Sequence, residues 1–215
     1  MAQATGRTGL VTTLKDLALD LGCETQTGVL EGLADFTELI LRWNRRKRIV
    51  GSRDPREIVG VHLADCLAMA GRLQRIAPHG QTLVDVGSGA GLPGLGLSLL
   101  VPTLRTSLCE VSEKRVAFLH HARGTLGAQV EILHEDVHDL ARRSPGFDHA
   151  VSRAVFEPLQ WQEIGRRCVH TRGCVWSMLT QRQQDEVRVS GEAFRYAVAG
   201  SRGRVLVRSK GTDFK

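Results

Sequence analysis

The segment that most constrains this chain is Asp85-Val86-Gly87-Ser88-Gly89-Ala90-Gly91-Leu92-Pro93-Gly94. It follows a short apolar run, 82–86, that reads as a strand, and leads into 93–101, which reads as a helix. Glycines at such a junction let the backbone take torsions closed to other residues and approach a ligand closely. In an open α/β sheet a strand-to-helix turn of this kind lies where ligands bind. The flanking sequence agrees with that placement. Runs 106–109, 130–133, 147–151 and 174–179 read as strands, and 112–127 (with Ser112 as N-cap) and 156–169 as helices between them. Strands alternating with helices imply a parallel sheet covered on both faces. At the end, 194–199 and 203–208 flank Gly200-Ser201-Arg202 and read as an antiparallel hairpin.

Residues 1–80 read as helical. Val29, Leu30, Leu33, Phe36, Leu39, Ile40 and Trp43 form one stripe at helical spacing. Asp54-Pro55 is a helix start, and a second stripe runs from Ile58 to Ile76 before Pro78-His79-Gly80 stops it. The expected organisation is therefore a helical extension over 1–80 and an α/β domain over 81–215. With 42% apolar and 24% charged residues, the chain can bury a core, which excludes disorder and collagen-like structure. Five cysteines, odd in number and without a CxxC, argue against a disulfide framework or zinc ribbon. Cys168-Val169-His170 with Cys174 lacks a fourth ligand, so no metal is expected. Free thiols suit a reducing cytoplasm. The N-terminus has no signal-like apolar stretch, and the longest apolar run, Leu92 to Val101, is broken by Pro93, Gly94, Gly96 and Ser98. A cytoplasmic protein away from the membrane is expected.

Two cofactors compete for the glycine loop. Gly89-Ala90-Gly91-Leu92-Pro93-Gly94 matches G-x-G-x-x-G, the dinucleotide fingerprint of a nicotinamide-dependent oxidoreductase. That reading leaves Asp85 and an extra Gly-Ser between strand and first glycine, where a pyrophosphate wants amides, not a carboxylate. S-adenosylmethionine has no phosphate and carries an ammonium and a sulfonium, which Asp85 suits. Asp-x-Gly-Ser-Gly-x-Gly is the first motif of Rossmann-like methyltransferases. Glu110, ending the second strand, can accept ribose hydroxyls of either cofactor. The C-terminal hairpin resembles the antiparallel end of a seven-stranded methyltransferase sheet, whereas dinucleotide domains are usually all parallel. The methyltransferase is the favoured reading, with the oxidoreductase as its alternative.

For the methyl acceptor, no cysteine lies at a strand end beside a proline, as attack at a pyrimidine carbon would need. Ser152-Arg153-Ala154-Val155 stands where exocyclic-amine methyltransferases carry Asn/Asp-Pro-Pro-aromatic. A ring nitrogen with a free lone pair, such as N7 of guanine, needs no base, only alignment. Trp43-Asn44, Asp54-Pro55, His62-Leu63-x-Asp65-Cys66-Leu67, Asp85 to Gly94, Glu110 with Lys114-Arg115-x-x-Phe118-Leu119, and Phe147-Asp148 leading to Ser152-Arg153-Ala154 follow in order. With these features the chain from about 38 to 208 resembles the bacterial 16S ribosomal RNA guanine-N7 methyltransferase G family, also called glucose-inhibited division protein B.

The resemblance implies S-adenosyl-L-methionine as cofactor and a guanine of 16S ribosomal RNA, in the small subunit, as substrate. Asp85, Gly87, Ser88, Gly89, Gly91 and Leu92 would form the methionine end of the cofactor site and Glu110 its ribose end. Asp136, Val137 and His138 would frame the adenine, and Arg153 would close the site. Three departures stand out: Asp136-Val137-His138 replaces the family's Arg-x-Glu, Leu179-Thr180 its Lys-Gly, and Cys66 its serine. Losing an Arg and a Lys removes two phosphate contacts, each worth about one unit of salt-dependence slope. A diverged paralogue that methylates another RNA, or only binds it, is therefore a further alternative.

The net charge is +6, and 24 of the 29 cations are Arg, a residue suited to phosphate, although a GC-rich genome gives the same ratio. Arg45, Arg46, Lys47 and Arg48 are the expected RNA-facing strip, with Arg204 contributing from the C-terminal hairpin. Trp43 is expected in the core, and His62 as a bonded core or interface histidine with Asp65 as partner. A monomer with positional catalysis and no essential base is expected.

Overall fold

The computed structural model describes residues 6–77, 79–143, 146–197 and 203–211. The N-terminal part holds helices α1 (Arg7–Asp20), α2 (Thr27–Asn44), the single turn α3 (Pro55–Glu57), a π-helical turn (Ile58–Leu63) and α4 (Ala64–Ile76). Asp54 starts α3 as the sequence indicated, its side chain accepting from the Arg56 amide at 2.9 Å. There follow β1 (Thr82–Val86), α5 (Gly94–Leu100), β2 (Arg105–Cys109), α6 (Glu113–Leu126), β3 (Val130–Leu133), α7 (Val137–Arg143), β4 (Phe147–Ser152) and α8 (Pro158–Cys168). The chain ends with β5 (Val169–Thr180), α9 (Gln181–Val187), β6 (Glu192–Tyr196) and β7 (Arg204–Lys210).

The seven strands form one sheet in the order β3-β2-β1-β4-β5-β7-β6. β1 to β5 pair in parallel, while β7 is antiparallel to both β5 and β6. The order reverses between β1 and β4, so the loops after these strands flank the crevice where an open α/β sheet binds ligands. Because successive strand residues face opposite sides, the central strands feed cores on both faces of the sheet. Leu83, Val151 and Trp176 join the larger one, which also takes Leu14, Phe36, Leu63 and Leu73 from the N-terminal helices. Val84, Ala150 and Val175 join the other, closed by Leu140 of α7 and Trp161 and Ile164 of α8. The N-terminal helices thus pack into the same core as the sheet.

Several boundaries differ from the sequence reading. β5 begins at Val169, not 174, because a register shift opposite Phe147 and His149 accommodates the polar stretch His170-Thr171-Arg172-Gly173. A Cβ on Gly173 would lie 2.7 Å from the Phe147 carbonyl oxygen, so the bulge needs glycine. Helices α7 and α9 were not anticipated. Both are seven residues long; α7 buries only Val137 and Leu140 and α9 none of its side chains, too few to mark a helical stripe. Ser112 does occupy the N-cap of α6, but its side chain makes no capping bond. β6 ends at Tyr196, and the hairpin turn at 200–202 lies outside the described residues, as do Pro78 and Lys215.

Candidate active site

The glycine loop is built around two buried carboxylates at neighbouring strand ends. Asp85 Oδ2 accepts from the Gly94 amide at 2.8 Å, closing the loop across nine residues. A Cβ at Gly94 would lie 2.6 Å from Asp85 Cβ and 2.5 Å from Leu108 Cδ2, so only glycine allows this approach. Glu110 Oε2 accepts from the Gly89 amide and its Oε1 from the Ser112 amide, each at 2.9 Å. The Arg115 guanidinium stands 3.6 Å from Glu110. The Gly87 and Ser88 amides both donate to the Cys109 carbonyl, at 2.8 and 3.1 Å, and the Gly91 amide to the Ser88 carbonyl at 2.7 Å. Gly87 has φ +69°, and its missing side chain leaves room for Val155 of the loop after β4.

Asp85 is 1% exposed, and its Oδ1 has no hydrogen-bond partner. Burial pushes its carboxyl up to about 7, against the opposing pull of the Gly94 hydrogen bond and the Arg153 charge. A buried acceptor without a donor is costly unless a partner arrives, so this oxygen fits a cationic ligand group. Two site expectations need correction in their manner of action. Ser88 is buried with its hydroxyl on the Asp85 carbonyl at 2.8 Å, and Leu92 lies in the larger core. Their side chains shape the loop from within. Likewise Val137 turns into the second core. Asp136 caps the start of α7, its Oδ1 accepting from the His138 amide at 2.7 Å, and both Asp136 and His138 are exposed.

On the β4 side, Ser152 Oγ donates to the Val86 carbonyl at 2.8 Å, tying the two strand ends together. Arg153 then turns back toward the π-helical turn and α4, donating to His62 Nδ1 of the turn and lying 3.7 Å from Asp65 of the helix. Asp65 is fully buried and also accepts from Tyr196 and Arg204. Arg204, expected to face RNA, is instead drawn inward to this carboxylate, whose full burial leaves it in need of cationic partners, Arg204 and Arg153. The expected His62–Asp65 pair is replaced by His62–Arg153. This cluster joins α4, the β4 loop and the C-terminal hairpin, elements far apart in sequence, and nothing in the spacing of its members announced it.

The basic strip is organised by Asn44, which is buried at the end of α2. Its Nδ2 donates to the Val50 and Ser52 carbonyls at 3.0 and 2.7 Å, and its Oδ1 accepts from the Ile49 amide at 2.8 Å. The loop so fixed leaves Arg45, Arg46, Lys47 and Arg48 exposed. Beside them, an open groove of about 770 Å³ is lined by Arg42, Trp43 and His121 among others. Trp43 is half-buried, edge-on to Phe118 and stacked on His121, each at 5.4 Å between ring centres.

Residues 29–202 match the family described as rRNA small subunit methyltransferase G. This chain belongs to that family. A "Ribosomal RNA small subunit methyltransferase G" from Anaeromyxobacter sp. (strain Fw109-5) is 32% identical over 180 residues, covering 83% of this chain and 79% of the relative. One of the same name from Methylobacillus flagellatus is 31% identical over 181 residues, covering 83% and 82%. Among solved structures, a ribosomal protein L11 methylase from Lactobacillus delbrueckii subsp. bulgaricus shares the fold with a TM-score of 0.53 at 14% identity, covering 75% of this chain and 80% of that one. The C-terminal domain of precorrin-6Y C5,15-methyltransferase from Rhodobacter capsulatus gives 0.51 at 13% identity, covering 64% and 85%.

As a methyltransferase G family member the chain uses S-adenosylmethionine, and the loop fits that cofactor better than a dinucleotide. The Gly89 and Gly94 amides, which a pyrophosphate would need, are already held by Glu110 and Asp85. Among the described residues no three His, Cys, Asp or Glu side chains gather as a metal site, and no helix is long and apolar enough to cross a membrane.

Proposed function

We propose that this protein transfers the methyl group of S-adenosylmethionine to N7 of a guanine in 16S ribosomal RNA of the small subunit, acting as a cytoplasmic monomer. The observation that carries the reading is the pair of buried carboxylates bracing the glycine loop, in a chain whose family members are named for this RNA. Asp85 Oδ1 would face the cofactor's ammonium, Glu110 would take the ribose hydroxyls, and Asp136 and His138 would frame the adenine. Gly87 and Gly91 supply the left-handed backbone that shapes the loop, with φ +69° and +76°, and Arg153 orders the side facing the acceptor.

The cofactor supplies an electrophilic methyl on a positive sulfur. An N7 acceptor would react through its own lone pair and become cationic on methylation, so no proton would have to be removed. The protein's own work is alignment. Its thiols support an acceptor that needs no nucleophile. Burial pushes Cys109 up to about 12 and Cys168 up to about 11, so neither is a thiolate ready to attack a pyrimidine ring. Arg45, Arg46, Lys47 and Arg48 hold RNA phosphates beside the Trp43 groove.

Small subunits from a strain lacking the enzyme, incubated with methyl-labelled cofactor and mapped by N7-specific strand cleavage, should show label at one guanine. Label at no guanine would refute the reading.

A further inference from the structure

N7 is present in adenine as well as guanine, so a guanine-N7 enzyme must read something else on that edge. Guanine presents acceptors at N7 and O6, whereas adenine presents an acceptor at N7 and an amino donor at position 6. The loop after β4 separates the glycine loop from a second cavity, of about 230 Å³, at the ends of β4 and β5. On one side Val155 covers Gly87, and Ala154 holds a left-handed φ of +56° that turns the loop. Such strain in a non-glycine residue is found where geometry serves a site. On the other side the cavity is lined by His62, Ser152, Phe156 and Thr180. The Phe156 ring is stacked on Trp161, with 6.0 Å between centres and planes 11° apart.

His62 reaches this cavity from the π-helical turn Ile58–Leu63, a conformation frequent at functional positions. Its Nδ1 faces the guanidinium of Arg153. A guanidinium can only donate, so Nδ1 is the acceptor and the ring proton sits on Nε2. Burial, with the positive charges of Arg153 and Arg204, brings the imidazole's pKa down to about 3, so the ring is neutral at working pH. Among the described residues, Nε2 has no hydrogen-bond partner.

We propose that this cavity receives the target base and that His62 selects guanine, its Nε2–H donating to O6. The inference rests on the guanine-N7 reading above. Arg153, itself paired with Asp65, prevents the ring from changing tautomer, so adenine's amino group would meet an N–H head-on. A neutral donor also adds no charge facing the purinium cation as it forms.

The test compares the wild type with His62→Ala and His62→Gln on small subunits lacking the modification. Glutamine can accept from Arg153 with its carbonyl and still present an N–H to the base. The expected result is a kcat/KM about 10- to 100-fold lower for His62→Ala. His62→Gln should recover most of that loss, and S-adenosylhomocysteine affinity should stay within about twofold for both. Equal loss in both variants, wild-type rates in His62→Ala, or a parallel fall in S-adenosylhomocysteine affinity would overturn the assignment. No transfer by the wild type would instead refute the reading on which it rests.

Discussion

Asp85 provides the sharpest physical test of the cofactor loop. Its carboxyl is buried, holds the Gly94 amide with one oxygen and leaves the other without a donor. Burial raises its pKa from 3.8 to about 7. In the folded protein the proton is therefore held more tightly than in the unfolded chain. The stabilising contribution is fully present below the unfolded value and is lost as pH rises through about 7. At about 1.4 kcal/mol per pH unit, the gap between the two values gives a ceiling of about 4 kcal/mol. Asp85→Asn is nearly isosteric, can accept from Gly94 and carries no titrating proton. Urea unfolding of both proteins between about pH 4 and pH 8 should show the wild type losing up to that much stability relative to the variant. Taking the difference removes the opposite contributions of His62 and His149, which burial holds down to about 3 and about 4. Calorimetry adds the functional half. An incoming ammonium favours the ionised carboxylate, so wild-type affinity for S-adenosylhomocysteine should rise with pH up to about 7, by at most about tenfold per unit, while the variant binds weakly at every pH. A pH-independent difference in stability, or unchanged affinity in Asp85→Asn, would refute this account of the loop.

Three other perturbations probe separate parts of the structure. Gly87→Ala would place a Cβ 2.6 Å from Val155 at φ +69°; S-adenosylhomocysteine affinity should fall at least tenfold by calorimetry as the β4 loop is displaced. Asp65→Ala leaves the largely covered Arg153 and Arg204 without their counter-ion, and should cost up to about 3–5 kcal/mol in urea unfolding. Arg45→Glu/Arg46→Glu/Lys47→Glu changes only exposed side chains. It should leave the melting temperature and cofactor affinity unchanged while weakening binding to small-subunit RNA and flattening its salt dependence, by about one unit of slope per lost contact.

Much of the fold was legible because short apolar runs and the glycine loop are local signals. β1 and β3 have the bounds that 82–86 and 130–133 indicated. α9 carried its signal in a place apolar periodicity does not look: Thr180 and Gln183 form a capping box. The π-helical turn was hidden because Ile58, Val59 and Leu63 fit an α-helical stripe equally well. Asp85 and Glu110 could be placed at strand ends, but their engagement with Gly94, Gly89 and Ser112 depends on how the loop folds back. Arg204 shows the limit most clearly. Its sequence neighbourhood reads as basic surface, and only the return of β7 toward α4 brings it to Asp65, 139 residues away.

The most direct test of the central claim is nucleoside mass spectrometry of 16S and 23S RNA after wild-type protein and S-adenosylmethionine have acted on ribosomal subunits from a strain lacking the enzyme. The account expects 7-methylguanosine to appear in 16S RNA, approaching one per molecule, with none added to 23S RNA. A methyl group on another atom or on the other RNA, or no gain with active cofactor-bound protein, would contradict it.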